Sequence, residues 1–317
     1  MPVLEPQIGV CQWFHHGDRA TVERALRHLR VLGIDRLRTG ISWADWHRPD
    51  GPAWYDELFA ALDGLDLLVS VWHTPPSLSE DGRCNAPPRR LQDYADFIDV
   101  VIDRYGSRIA CLELWNEPNN RWKWDFAAHD PQWAKFAAMI GMAGHWARQR
   151  GMPTALGGMI PVDADWLRLI DRHGALACVD IVACHAFPGM WWPGEGNWDW
   201  HERWRGWEDK LAQARAGAAG KPVWVTETGL ATWDLATGRP GKFDLQARML
   251  LDAAQAPAQR LYWYSLIDLD PARPAIEGWH VDENEYHLGL VDATGRRKEA
   301  WFAMQDIVRA AQRRAAG

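Results

Sequence analysis

The feature that most constrains the fold is a repeated alternation of short apolar runs with amphipathic segments. Apolar runs this short, bounded by turn residues, are typical of buried strands. Between them, apolar residues recur at helical spacing, as Val22, Leu26, Leu29 and Leu32 do. Eight strand–helix units in 317 residues predict an α/β protein, a single (β/α)8 TIM barrel.

The units can be placed along the chain by their residue numbers. Strands are predicted at 8–13, 35–40, 67–72, 109–114, 155–160, 179–184, 222–225 and 260–265. Helices are predicted at 18–33, 55–62, 91–105, 133–146, 164–173 and 245–254, with a closing helix around 301–311. Because no Pro- or Ser-rich linker interrupts the series, we expect one barrel over residues 1–317 without an appended domain.

Charge and apolar runs exclude some classes of function. The net charge is −7 and no basic block stands out, so we expect no nucleic-acid partner. No apolar stretch approaches the ~20 residues of a membrane span, so no membrane partner is expected. Five cysteines, mostly in apolar runs, together with an N-terminus that lacks a signal-peptide pattern, favour a cytoplasmic protein; a secreted protein whose signal was trimmed would look the same. The sequence does not indicate an oligomeric state.

Two carboxylates stand at the ends of predicted strands. Glu117 follows the fourth strand within Trp115-Asn116-Glu117-Pro118, and Glu227 follows the seventh within Thr226-Glu227-Thr228-Gly229. In a parallel barrel, side chains at the carboxyl ends of strands form the active site. A lone Glu at a strand end is usually a solvated loop residue, but a pair is what retaining glycoside hydrolysis requires.

The two carboxylates would divide the work of a double displacement. Arg38, at the end of the second strand, is expected to keep Glu227 ionised as the nucleophile. Glu117 would then serve as acid and later as base. Asn116 is placed to hydrogen-bond a sugar 2-hydroxyl. The 22 Trp residues fit this hypothesis because an indole face suits the C–H face of a sugar ring, although about half of them are expected to fill the core.

These motifs resemble those of clan A glycoside hydrolases. In that clan the acid/base follows an Asn after strand four, as in Trp115-Asn116-Glu117-Pro118-Asn119, and the nucleophile ends strand seven, as Glu227 does. The resemblance implies that Arg38 is the arginine of strand two and that Trp263 floors the sugar at the cleavage point. The end of the chain, from Leu288, is also similar.

Within the clan, the segments Glu113–Asn119 and Asp180–His185 most resemble glycoside hydrolase family 39, with family 5 next. The resemblance therefore implies a hydrolase that cleaves β-type bonds of an oligosaccharide or polysaccharide. Two features depart from it. Many clan members have a Tyr near the end of strand six that hydrogen-bonds the nucleophile, whereas this chain has His185-Ala186-Phe187, so His185 or Tyr286 is expected to substitute. We also expect no β-sandwich of the kind that many family 39 xylosidases carry.

Other side chains carry both a functional and a structural interpretation. His73 and His185, at the ends of strands three and six, are predicted to bind substrate; for His73 a structural role fits as well. Trp191 and Trp192 are predicted to wall further sugar subsites, or to pack on each other. Glu113 is predicted to be an interior partner of Arg36 or Arg38.

Four basic residues in the predicted loops could meet a uronic acid or a sulfate, although basic loop residues are usually just solvated: Arg121, Lys123, Arg203 and Arg205. No His/Cys spacing suggests a metal and no Gly-rich loop suggests a nucleotide, so no cofactor is expected. Two alternatives use the same fold: a catalytically silent carbohydrate-binding barrel and a transglycosylase.

Overall fold

A computed structural model of the protein describes residues 6–189, 203–272 and 283–316. Eight strands follow one another in the closed order β1-β10-β7-β6-β5-β4-β3-β2, which confirms the predicted α/β barrel. The barrel strands are β1 (Gln7–Cys11), β2 (Arg36–Ser42), β3 (Asp66–Trp72), β4 (Ile109–Leu114), β5 (Thr154–Met159), β6 (Ile181–His185), β7 (Val223–Thr228) and β10 (Arg260–Tyr264). A small two-stranded sheet, β8 (Trp233–Asp234) and β9 (Arg239–Pro240), lies between β7 and β10 in the chain.

Helices follow the strands as the alternation predicts. The described helices are α1 (Arg19–Leu32), α2 (Trp43–Trp46), α3 (Gly51–Ala61), α4 (Gln92–Tyr105), α5 (Phe126–His129), α6 (Ala134–Gln149), α7 (Ala164–Arg172), α8 (Trp207–Gly217), α9 (Phe243–Ala253) and α10 (Glu299–Ala316). Three of them, α2, α5 and α8, were not predicted. The first two are single turns, too short to show helical periodicity. In the described ranges, no helix is long and apolar enough to cross a membrane.

Helix α1 illustrates how the sequence sets an element. Asp18 accepts a hydrogen bond from the backbone N–H of Thr21 at 3.1 Å, which caps the first turn. Gly33 ends the helix in the left-handed conformation, at φ 73°, which glycine adopts without steric cost. Val22, Leu29 and Leu32 are buried on the face that the apolar spacing marked.

Contacts between residues divide the chain into two compact units. The first comprises Met1–Leu37, Ala186–Lys210 and Val225–Gly317. Within it, β1 pairs in parallel with β10 from Gln7–Arg260 to Cys11–Tyr264, and β10 pairs in parallel with β7. Helix α10 contacts both α1 and α9.

The second unit comprises Arg38–His185 and Leu211–Trp224. Its strands β3, β4, β5 and β6 pair in parallel in that order, and α4 contacts α6. Gly157 on β5 is required by close packing, because a Cβ there would lie 2.2 Å from the carbonyl oxygen of Trp115. This close approach lies beside the segment that carries Asn116 and Glu117.

Candidate active site

The segment after β4 is shaped by a buried tryptophan. Trp115 is fully buried; its backbone N–H donates to the Val71 carbonyl at 3.0 Å and its indole N–H to the Lys123 carbonyl at 3.0 Å. Trp115 and Glu117 both have left-handed backbones, with φ of 77° and 46°. Such conformations are uncommon for non-glycine residues and cluster at functional sites. The chain therefore turns sharply where it presents Asn116 and Glu117.

Arg38 on β2 joins a buried polar group behind this turn. Its Nε donates to Glu113 Oε2 at 2.8 Å, and its Nη2 donates to Asn116 Oδ1 at 2.8 Å. The side chains of Arg38 and Glu113 are both 0% exposed. Glu113 also accepts from the Gly158 backbone N–H at 3.2 Å. The predicted interior partner of Glu113 is thus Arg38, and the amide of Asn116 is held in one orientation.

Replacing Arg38 by Met should lower the free energy of unfolding by roughly 3–5 kcal/mol, because it leaves the Glu113 carboxylate buried without its counter-charge. Calorimetric melting of the variant measures this. Adding Glu113→Gln should recover part of the loss. Arg108→Met is the matched control, since its pair with Asp63 is 37% and 69% exposed and should cost about 0–1 kcal/mol. Equal losses for both arginines would contradict the prediction.

Glu117 is held by two side chains. Its Oε1 lies 3.0 Å from Nδ1 of His185, at the end of β6, and its Oε2 accepts from Asn120 Nδ2 at 3.2 Å. The Glu117 side chain is 13% exposed while His185 is fully buried. Burial by itself raises the pKa of Glu117, but the hydrogen bond to His185 and the positive charges of Lys123 and His185 outweigh it, so the pKa is lowered.

His73 and Lys123 lie on the same unit around Trp72. The His73 ring is centred 3.5 Å from the Trp72 ring, and the Lys123 ammonium lies 5.0 Å from the centroid of that ring. Burial, with the positive charge of Lys123, lowers the pKa of His73 to about 3. His73 is therefore neutral near neutral pH, with one ring nitrogen able to donate and one able to accept.

Glu227 lies in β7, within the first unit, and is 6% exposed. The Cys11 thiol at the end of β1 lies 3.9 Å from Glu227 Oε1. Gly229, two residues on, allows a close approach to β10, since a Cβ there would lie 2.2 Å from the Tyr264 carbonyl oxygen. The segment that carries Glu227 and the end of β10 are therefore in tight backbone contact.

The two aromatic residues at the end of β10 have different positions. Trp263 is 1% exposed and Tyr264 is 9% exposed. Tyr264 pairs with Cys11 in the parallel ladder, and paired residues of neighbouring strands point to the same side of the sheet. Tyr264, rather than Trp263, is thus the aromatic side chain on the side of Cys11 and Glu227.

The remaining predicted residues are distributed as follows. Trp191 and Trp192 lie outside the described residues. Tyr286 is buried beside Leu269. The Arg121 guanidinium lies 5.4 Å from the centroid of the Trp122 ring, and Arg205 pairs with Asp209 at 3.4 Å.

Three contacts of the two carboxylates were not predicted: those of Asn120 and His185 with Glu117, and that of Cys11 with Glu227. His185 was expected to bind substrate or to hydrogen-bond the nucleophile, and its contact with Glu117 adds to those predictions. Asn120 could have been found, because it directly continues the Trp115–Asn119 motif. Nothing in the sequence marks Cys11, which is 216 positions from its partner.

The closed parallel barrel is the fold that the resemblance predicts. No protein-family model matches the chain. Among curated proteins, Beta-glucosidase 17 of Arabidopsis thaliana is 27% identical over 105 residues, or 29% of this chain and 20% of the relative. Avenacosidase 1 of Avena sativa is 24% identical over 108 residues, or 30% and 19%. The match thus spans about a fifth of these relatives.

Solved structures share the fold over nearly the whole chain. An exo-beta-1,4-mannosidase from an Opitutaceae bacterium superposes with a TM-score of 0.71 at 20% identity, over 98% of this chain and 60% of that one. A GH5_18 protein from Bifidobacterium longum, in complex with Manb1-4GlcNAc, gives 0.71 at 15% identity, over 97% and 78%. A family 39 glycoside hydrolase from Bacteroides cellulosilyticus gives 0.62 at 16%, over 97% and 64%. These structures agree with the predicted barrel and come from both families that the motifs resemble.

Proposed function

We propose that the protein is a retaining glycoside hydrolase acting on β-linked sugars, with Glu117 as acid/base and Glu227 as nucleophile. The observation that carries the proposal is that both carboxylates stand at carboxyl ends of strands in a closed parallel barrel, on β4 and β7. In such barrels those ends share one face, where catalysis takes place. The glycosidase names of the curated relatives support the reaction class.

The reaction runs in two displacements. In the first, a Glu227 carboxylate oxygen attacks C1 of the sugar as the glycosidic C1–O bond breaks, and Glu117 gives its proton to the departing oxygen. The product is a glycosyl ester on Glu227. In the second, Glu117 takes a proton from water, the water oxygen attacks C1, and the ester bond breaks to restore Glu227. Two inversions leave the anomeric configuration as it began.

Asn116 is oriented for one role in this scheme. Because its Oδ1 accepts from Arg38 Nη2, its Nδ2 group is turned away from Arg38 as a donor. We propose that Nδ2 donates to the 2-hydroxyl of the sugar at the cleavage point, a bond that strengthens as positive charge develops on the ring. Arg38 acts on this step by fixing the amide.

The substrate is proposed to be an oligosaccharide with a β-linked hexose. The relative named β-glucosidase and the neighbour named exo-beta-1,4-mannosidase make glucosides and mannosides the first to test. The Lys123 ammonium, whose charge acts on Glu117, supports the further hypothesis of an acidic sugar on the leaving-group side. Comparable rates on neutral and uronate-bearing glycans would remove that hypothesis.

The pH profile should depend on the contact between Glu117 and His185. Glu117 must be protonated to act as the acid, so a lowered pKa brings the basic limb of kcat/KM to lower pH. Replacing His185 by Gln removes one charge that lowers this pKa and should move the basic limb to higher pH, by about one unit. His145→Gln, on the exposed side of α6, is the control. An unmoved basic limb would contradict the assignment of Glu117.

A panel of aryl β-glycosides and polysaccharides tests the proposed function directly. Hydrolysis with retained configuration, followed by trapping with the matching 2-deoxy-2-fluoro glycoside, should place the sugar on the peptide that contains Glu227 in a mass spectrum. Products longer than the substrate at high sugar concentration would make the protein a transglycosylase. Binding without any bond cleavage across the panel would favour the silent barrel and reject the proposal.

A further inference from the structure

The nucleophile segment has a partner that the resemblance does not supply. Where many clan A enzymes carry a tyrosine after β6, this chain has Phe187, which has no hydroxyl to donate. The Phe187 ring instead meets the ring of Tyr264 edge-on, with centroids 6.3 Å apart and planes at 87°. Within this unit, a side chain of β1 donates to Glu227.

Cys11 makes that contact from the last position of β1. Its Sγ lies 3.9 Å from Glu227 Oε1, within the range of a hydrogen bond from sulfur. Both residues are buried, Cys11 completely. A thiol is a weak donor and a carboxylate is a strong acceptor, so the proton of this contact belongs to sulfur when Glu227 is ionised. The contact favours the ionised form of Glu227.

The thiol is fixed in place by the backbone around it. Cys11 pairs with Tyr264 in the ladder of β1 with β10, and its carbonyl accepts from the Leu266 N–H at 3.3 Å. The next residue, Gln12, is 2% exposed and accepts from the Ile267 N–H at 2.8 Å through Oε1. Sγ is thus held by secondary structure on its own strand and on the neighbouring one.

We propose that Cys11 is a positioning residue for the nucleophile: its thiol orients the Glu227 carboxylate by donating to Oε1, in the place of the missing tyrosine hydroxyl. The proposal rests on the proposed function for its kinetic consequences. A weak donor holds the carboxylate in place and withdraws little electron density from it.

Two substitutions at Cys11 test the role through the acid limb of the kcat/KM profile, which reports ionisation of the nucleophile in the free enzyme. Cys11→Ala removes the donor, so the acid limb should move to higher pH. Cys11→Ser carries its hydroxyl on a shorter bond, which leaves the oxygen beyond the reach of about 3 Å that an O–H···O hydrogen bond allows, so its limb should also move to higher pH.

Cys111→Ser is the matched control. That cysteine is also buried on a barrel strand, and its thiol lies 3.8 Å from a backbone carbonyl, that of Leu112. Its acid limb should coincide with that of the wild type. If Cys11→Ala and Cys11→Ser both keep the wild-type acid limb, Cys11 has no positioning role.

Infrared spectroscopy gives a second readout that needs no turnover. The S–H stretching band of a thiol shifts with the strength of its hydrogen bond, so Glu227→Gln should move one band, the one that disappears in Cys11→Ala. If Glu227→Gln moves the S–H band but the wild-type protein cleaves no glycoside, the contact between Cys11 and Glu227 is supported and the proposed function is rejected. An active enzyme in which Glu227→Gln moves no S–H band would reject the role of Cys11 alone.

Discussion

Replacing Glu227 by Gln should lower kcat/KM on the best glycoside by about 10⁴-fold or more, as the loss of a nucleophile does in other hydrolases. The amide keeps the size and shape of the side chain, but it is neutral and forms no glycosyl ester. Because the substitution is isosteric, the melting temperature should change little beside the loss of activity. Initial rates over a range of substrate concentrations, with a calorimetric scan, measure both effects.

The control for this prediction is Glu208→Gln, an exposed carboxylate in the first turn of α8. Its activity should equal that of the wild type. Glu227→Gly should regain turnover with sodium azide, because the small anion enters the space of the lost carboxylate. The product should be a glycosyl azide of inverted configuration, formed in a single displacement. Substantial activity of Glu227→Gln on the true substrate would reject Glu227 as the nucleophile.

The barrel itself could be predicted from the sequence because its signals are local. The apolar runs at 67–72 and 109–114 coincide with β3 and β4 within one residue. Asp18 and Gly33 bound α1 through contacts within one turn of the helix. Periodicity and capping act over a few neighbouring positions, so a single sequence carries them.

Side-chain direction at the site could be predicted less well. Successive side chains of a strand point to opposite faces, so Trp263 and Tyr264 in the strand 260–265 are predicted to point in opposite directions. The sequence pattern does not show which of the two side chains points to the interior of the barrel. That is decided by pairing with β1, where Tyr264 meets Cys11, and by a register shift between Leu261 and Trp263 in the pairing with β7. Register is a property of two strands far apart in the chain, so propensity does not carry it.

The partner of Glu113 could be predicted in part, less fully than the barrel strands but better than the directions of the side chains on β10. A carboxylate on a buried strand needs a counter-charge, which limits its partners to basic side chains that are themselves buried in the barrel. The sequence leaves Arg36 and Arg38 open, two positions apart on one face of β2. In the structure, Arg38 pairs with Glu113, while Arg36 pairs with the exposed Asp35 at 3.0 Å. The position of each arginine along β2 therefore decides which of them pairs with Glu113.

Replacing Glu117 by Ala should slow the first displacement only for substrates whose leaving group must be protonated as it departs. With a glycoside whose leaving group is a poor one, such as an alkyl alcohol, kcat/KM should fall by roughly 10²–10⁴-fold because no proton reaches the departing oxygen. With a 2,4-dinitrophenyl glycoside, whose phenolate departs unprotonated, kcat/KM should stay near the wild-type value. Steady-state rates on a series of aryl glycosides of graded acidity measure the difference as a slope.

The activated substrate is the internal control, since a misfolded variant would lose activity on every member of the series. In Glu117→Ala the glycosyl ester on Glu227 lacks a base to activate water, so the second displacement should limit kcat on the dinitrophenyl substrate. Azide needs no base and should raise kcat, giving a glycosyl azide of retained configuration because two inversions have occurred. Retention here and inversion with Glu227→Gly would identify the role of each carboxylate from product stereochemistry alone. If Glu117→Ala gave a glycosyl azide of inverted configuration, Glu117 would be the nucleophile and Glu227 the acid/base.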